Sequence, residues 1–96
     1  YNGTASGASA SSVTGGYSNT ASGQYATITG GQNGSATGTN ANISGGVGNT
    51  ASGAISNVSG GDSNTASGIR SSVGGGANRT ASTDSNWVAG SLTQAN

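Results

Sequence analysis

The sequence predicts an all-β fold, a parallel β-solenoid of about six 15-residue coils, and three observations carry that prediction. β-Branched apolar residues recur every 15 positions, at Val13, Ile28, Ile43, Val58, Val73 and Val88. Alanines keep the same step at Ala21, Ala36, Ala51, Ala66 and Ala81. Glycine pairs mark one phase of each unit, at Gly15 and Gly16, Gly30 and Gly31, Gly45 and Gly46, Gly60 and Gly61, and Gly75 and Gly76. A flexible Gly/Ser linker does not hold three columns in register.

Residues 45–59 show the unit. Two five-residue segments, Asn49 to Gly53 and Ser56 to Gly60, each flank one apolar residue with hydroxyls or amides, the alternation of a half-buried strand. Variation concentrates just after the glycine pair and just after the second glycine segment, so both places read as turns. Helix is excluded, because no window shows a 3.6 period and each interior glycine costs about 1 kcal/mol against alanine.

The ends of the array are less regular. Thr4, Ala5, Ser6 and Gly7 stand one residue out of phase with the later alanine column, which gives the first coil one extra residue before Val13. The last unit carries Thr83 in place of glycine, and after Gly90 the pattern stops. Residues 1–90 are therefore read as solenoid, and 91–96 as the start of a following helical or neck segment, or a disordered tail.

Stacking places each strand against its copy about 4.8 Å away, so six coils make a rod of roughly 30 Å. Side chains then form columns, among them Thr20, Ser35, Thr50, Thr65 and Thr80. Glycine corners permit positive φ and close approach of coils, and the alanine column implies a thin coil. Burying one Val or Ile contributes about 1.5–3 kcal/mol, whereas ordering each residue costs roughly 1–2 kcal/mol of backbone entropy. A lone chain is thus expected to be marginal and to gain from self-association.

Composition narrows the function. The chain has 96 residues, 20 glycines, no Cys, 4% charged residues and zero formal net charge. It lacks the basic stripe that nucleic acid or an anionic membrane surface requires, and no segment approaches the roughly 20 apolar residues of a spanning helix. The absence of Met leads us to expect a piece of a longer protein. No catalytic, cofactor-binding or metal site is expected: without His, Cys, Lys or Glu, any general base is Asp62 or Asp84, and neither recurs from coil to coil. The three glycines at 74–76 precede no Lys-Ser/Thr and read as a corner. Arg70 and Asp84 are expected to pair on the surface. Tyr17 and Tyr25 occupy turn-like positions, either as surface anchors for a ligand or as covers for backbone or a neighbouring subunit. Trp87 is expected to cap the stack or to meet whatever follows it.

The alternation of Asn-Thr-Ala-Ser-Gly (19–23, 49–53, 64–68) with Ser-x-Val-x-Gly-Gly (12–16, 56–61) resembles the YadA-like head repeats of trimeric autotransporter adhesins, in wording most like the Burkholderia type. The resemblance implies a left-handed parallel β-roll, a homotrimer, and display on a bacterial cell surface by a C-terminal outer-membrane anchor beyond this segment. It implies attachment to host extracellular-matrix protein or cell-surface glycan, with no direct membrane contact by these residues. The Val/Ile and Ala columns would pack inside the coil or along the trimer axis. The alternate strand face, with Thr27, Asn42, Asn57 and Ser72, is more polar than that pattern and leaves open which face meets the other subunits.

Other readings of the same ladders are an ice-binding solenoid, because Thr20-Ala21-Ser22, Thr50-Ala51-Ser52 and Thr65-Ala66-Ser67 stack hydroxyls on either side of an inward alanine, and a passive structural spacer. A disordered linker would instead give a random-coil spectrum.

Overall fold

The computed structural model describes residues 2–5, 10–89 and 92–94. These form thirteen short strands: β1 (Asn2–Ala5), β2 (Ser12–Val13), β3 (Tyr17–Ala21), β4 (Thr27–Ile28), β5 (Ser35–Ala36), β6 (Asn42–Ile43), β7 (Thr50–Ala51), β8 (Asn57–Val58), β9 (Thr65–Ala66), β10 (Ser72–Gly75), β11 (Thr80–Ala81), β12 (Trp87–Ala89) and β13 (Leu92–Gln94). Odd strands stack as β1-β3-β5-β7-β9-β11, and even strands as β2-β4-β6-β8-β10-β12 with β13 added at the end. Neighbours run parallel except β12 and β13, and from β3 onward copies pair one period apart, as in Ala36 on Ala51 and Ile43 on Val58, save for a register shift that sets Gly75 on Ala89. The molecule is thus a β-solenoid of about six turns.

Why the coil is thin follows from its core. Ala21, Ala36, Ala51, Ala66 and Ala81 are fully buried and face Ile28, Ile43, Val58, Val73 and Val88, with Ala26 and Ala41 inside the turn. Val13, in the first coil, is only partly buried against this cluster. One small and one branched side chain per coil fill the gap between the sheets, and the extents of 33 × 22 × 12 Å describe a flat rod.

In the first coil Ala5 pairs with Ala21, sixteen positions on, whereas Ser12 pairs with Thr27, fifteen on. The extra residue therefore lies between Ala5 and Ser12; residues 6–9, Gly7 included, are outside the described residues. At the other end Leu92–Gln94 is a strand, antiparallel to β12 through Val88 and Thr93, not the start of a helix.

The segment after each glycine pair, expected to be a turn, is instead a third ladder. Tyr17, Gln32, Val47, Asp62 and Ala77 bridge in parallel from coil to coil. The second glycine of each pair (φ 86–102°) bends the chain before this residue, and Ser18, Asn33, Gly48, Ser63 and Asn78 (φ 56–65°) bend it after, so one extended residue is held between two left-handed ones. The two glycines of a pair are not equivalent. A Cβ on Gly46 would overlap the carbonyl oxygen of Gly61 and the amide of Asn49, whereas one on Gly45 would meet nothing within 4 Å.

A further glycine column, Gly23, Gly38, Gly53 and Gly68, has a different cause: a Cβ there would strike the carbonyl oxygen of its counterpart in the next coil. Thr83 takes the next position of that column, and its carbonyl oxygen is what a Cβ on Gly68 would strike.

The coils are fastened by asparagines. Asn64 is fully buried; its Nδ2 donates to Gly60 O in its own coil and Gly76 O in the next, both at 2.9 Å, and its Oδ1 accepts from the N–H of Arg79 at 2.8 Å. Asn49 repeats the pattern with Gly45, Gly61 and Asn64, and Asn19 with Gly15, Gly31 and Gly34. Each side-chain amide thus pairs a carbonyl of its own coil and an N–H of the next, and adds a second donor to a glycine carbonyl that already accepts a backbone N–H, as Gly76 O does from Asp62.

Candidate functional site

What the rod offers to a partner is two sheet faces and two turn edges. On the odd sheet the inward alanine is flanked by outward positions 20, 35, 50, 65 and 80, and 22, 37, 52, 67 and 82. All ten are Ser or Thr, and every member of the second set is exposed. Strand geometry spaces these hydroxyls about 4.8 Å along the stack and roughly 6.6 Å across it. The even sheet is mixed, with Ser12, Thr27, Asn42, Asn57, Ser72 and Trp87 in the corresponding column. There Asn42 Nδ2 donates to Asn57 Oδ1 at 2.9 Å, an amide ladder along the outer surface.

One turn edge is built from residues 23–26 and their copies. The Ala26 N–H donates to Gly23 O at 3.1 Å, and Ala41 to Gly38, Ser56 to Gly53, Ser71 to Gly68 and Asn86 to Thr83 do the same. The two central residues of each turn point outward: Gln24 and Tyr25, Thr39 and Asn40, Ala54 and Ile55, Ile69 and Arg70, Asp84 and Ser85. The second of each pair is left-handed, with φ between 57° and 60°. The opposite edge is the third ladder, beginning at Tyr17.

Tyr17 and Tyr25 are 55% and 50% exposed, on opposite edges of the coil, so the fold does not bring them together. Sequence reasoning passed over Ile55 and Ile69, at 53% and 44% exposure, which share the edge of Tyr25. Their signal was present as large apolar residues at the most variable phase of the repeat. Trp87 stays 40% exposed on the even face, its indole nitrogen beside Gly74. No ion pair joins Arg70 to Asp84: the Asp84 carboxylate accepts the N–H of Ile69 at 3.0 Å instead, because a carboxylate one coil above the turn reaches that backbone donor. Asp62 accepts from the Ser63 hydroxyl at 2.9 Å. Among the described residues no group of three or more His, Cys, Asp or Glu converges, and no cavity opens.

The class that fold and faces define is a β-solenoid repeat protein with polar faces and variable edges. No family model, no characterised protein and no solved structure gives a significant match to this chain.

Proposed function

We propose that this chain is a head segment of a trimeric bacterial surface adhesin, a non-enzymatic module that attaches the cell to host matrix protein or cell-surface glycan. The observation that carries the reading is the division of labour within each coil. Core alanines and branched residues stay in register, with buried asparagines fastening most of the coils, while exposed residues at the turn edges change from coil to coil. A stiff rod whose edges vary suits display and multivalent contact, in which several weak contacts add through effective concentration.

The trimer supplies what the single chain lacks, since one branched residue and one or two alanines per coil bury little apolar area against the entropy of 15 residues. Left-handed winding and an outer-membrane anchor beyond this segment belong to the same proposal, by resemblance to the YadA-like heads. Sedimentation of the purified chain tests the assembly: a fully folded monomer at low micromolar concentration contradicts it. Binding to immobilised matrix proteins and glycans tests the activity.

A second reading, ice binding, is favoured by one observation, the unbroken hydroxyl face of the odd sheet at positions 20–82. A thermal hysteresis gap that disappears in Thr50→Lys supports it, and no gap at millimolar protein rejects it.

A further inference from the structure

We propose that the turn edge carrying Tyr25, Ile55, Ile69 and Arg70 is the contact surface for a protein partner, one presenting an apolar cleft bordered by a carboxylate. The inference rests on the display reading above and assigns it a surface and a partner chemistry.

The argument begins with two columns of left-handed residues that share one backbone geometry. After the glycine pair the column is Ser18, Asn33, Gly48, Ser63 and Asn78, at φ 56–65°. These are small or amide residues, and Gly and Asn are the types that tolerate the left-handed region best. At the turn edge the column is Tyr25, Asn40, Ile55, Arg70 and Ser85, at φ 57–60°. Asn40 suits that conformation and Ser85 is as small as Ser18 and Ser63, but Tyr25, Ile55 and Arg70 are neither small nor amides. A β-branched residue there is an outlier, and Ile55 is one, at φ 57°.

The turn would accept glycine or asparagine at each of these positions, as it does at Asn40. Side chains kept in a strained conformation while half exposed to water are retained for something outside the chain's own packing. Their chemistry describes what. Ile55 and Ile69 form a short apolar ridge across adjacent coils of one edge, with Tyr25 two coils from Ile55 beyond Thr39 and Asn40, and the Ile55 N–H donates to Thr39 O, which sets successive tips one coil apart. Tyr and Arg are the residues enriched in the energetic centres of protein interfaces. Arg70 is exposed beside the ridge, and the nearest carboxylate in sequence register, Asp84, is engaged by the Ile69 N–H. Arg70 is exposed and its guanidinium makes no ion pair with Asp84, which leaves it for a partner's carboxylate. A convex apolar ridge with one available cation fits a concave apolar protein surface better than a glycan.

The experiment uses the whole chain against immobilised fibronectin, laminin and type I collagen, with a neutral glycan array in parallel. Ile55→Gly is expected to raise the melting temperature by several degrees and to weaken binding to the protein probe at least tenfold. Arg70→Gln should weaken it about tenfold and flatten its salt dependence, while Asn40→Gly leaves it unchanged. Protein binding that survives Ile55→Gly and Arg70→Gln overturns the edge assignment and leaves the adhesin reading standing, as does binding to glycans alone. Failure of the parent chain to bind any probe overturns both.

Discussion

Truncating Asn64 to alanine tests the claim that amides, more than apolar burial, fasten one coil to the next. The side chain makes three hydrogen bonds of 2.8–2.9 Å and is fully buried. Each such bond contributes about 1 kcal/mol net, and a buried group left without a partner costs about 1–3 kcal/mol. Alanine removes the donor to Gly60 O and Gly76 O and the acceptor for Arg79 N–H, so a loss of about 3–5 kcal/mol is expected. Against a total of roughly 5–15 kcal/mol for a domain of this size, that is a large fraction. With a urea m-value of about 2 kcal/mol/M, the unfolding midpoint falls by roughly 2 M. Ser67→Ala, on the exposed hydroxyl face, is the control and should stay within about 0.5 kcal/mol. A midpoint for Asn64→Ala indistinguishable from that control refutes the reasoning. Asn64→Asp adds a pH arm. Its carboxylate would replace an N–H donor with an oxygen facing two carbonyls in a buried site, which raises its folded-state pKa above the unfolded value of about 3.9. The variant is then least impaired below about pH 4 and loses stability as pH rises through the raised folded value.

The glycine pairs should separate cleanly in circular-dichroism melts: Gly45→Ala is neutral or stabilising by about 0.4–1 kcal/mol, while Gly46→Ala, at φ 91° and against Gly61, prevents or severely weakens folding. Ser56 Oγ is buried without a hydrogen-bond partner where two other coils carry Ala26 and Ala41. Ser56→Ala should therefore gain about 1 kcal/mol in urea titration. Gly34 stands where three other coils place asparagine, and an added Cβ would lie 3.1 Å from Asn19 Oδ1 and 3.7 Å from the δ-methyls of both Ile28 and Ile43. Gly34→Asn alone should destabilise, and combining it with Ile28→Val and Ile43→Val should recover at least about 1 kcal/mol through coupling, measured as a mutant cycle.

Much of this architecture was legible in the sequence because stacking turns a linear period into a contact. Ile43 and Val58 stand fifteen apart and pair, and the out-of-phase Ala5 reappears as a sixteen-residue register. The asparagine fastener was not legible. Asn49 and Asn64 read as the polar flank of a strand, and Gly34 and Arg79 interrupt their column. Their role depends on partners twelve and fifteen residues away that meet only once two coils are in place. The left-handed turn edge was hidden for the opposite reason: Tyr25, Ile55 and Arg70 are residues that ordinarily argue against positive φ. The third ladder escaped because Tyr17, Gln32, Val47 and Asp62 share no side-chain chemistry and pair through backbone alone.

Because the Gly23-to-Gly68 column needs its vacancy only toward the following coil, a fifteen-residue unit between Tyr17 and Thr83 can be removed or copied without breaking the backbone register. Excising residues 45–59 would join Ser44 to Gly60 with every remaining rung still aligned, and duplicating them would do the same. Reach is thus a quantity that gain or loss of whole units changes in steps of one coil, about 4.8 Å each, while the reversed strand after Ala89 stays where it is.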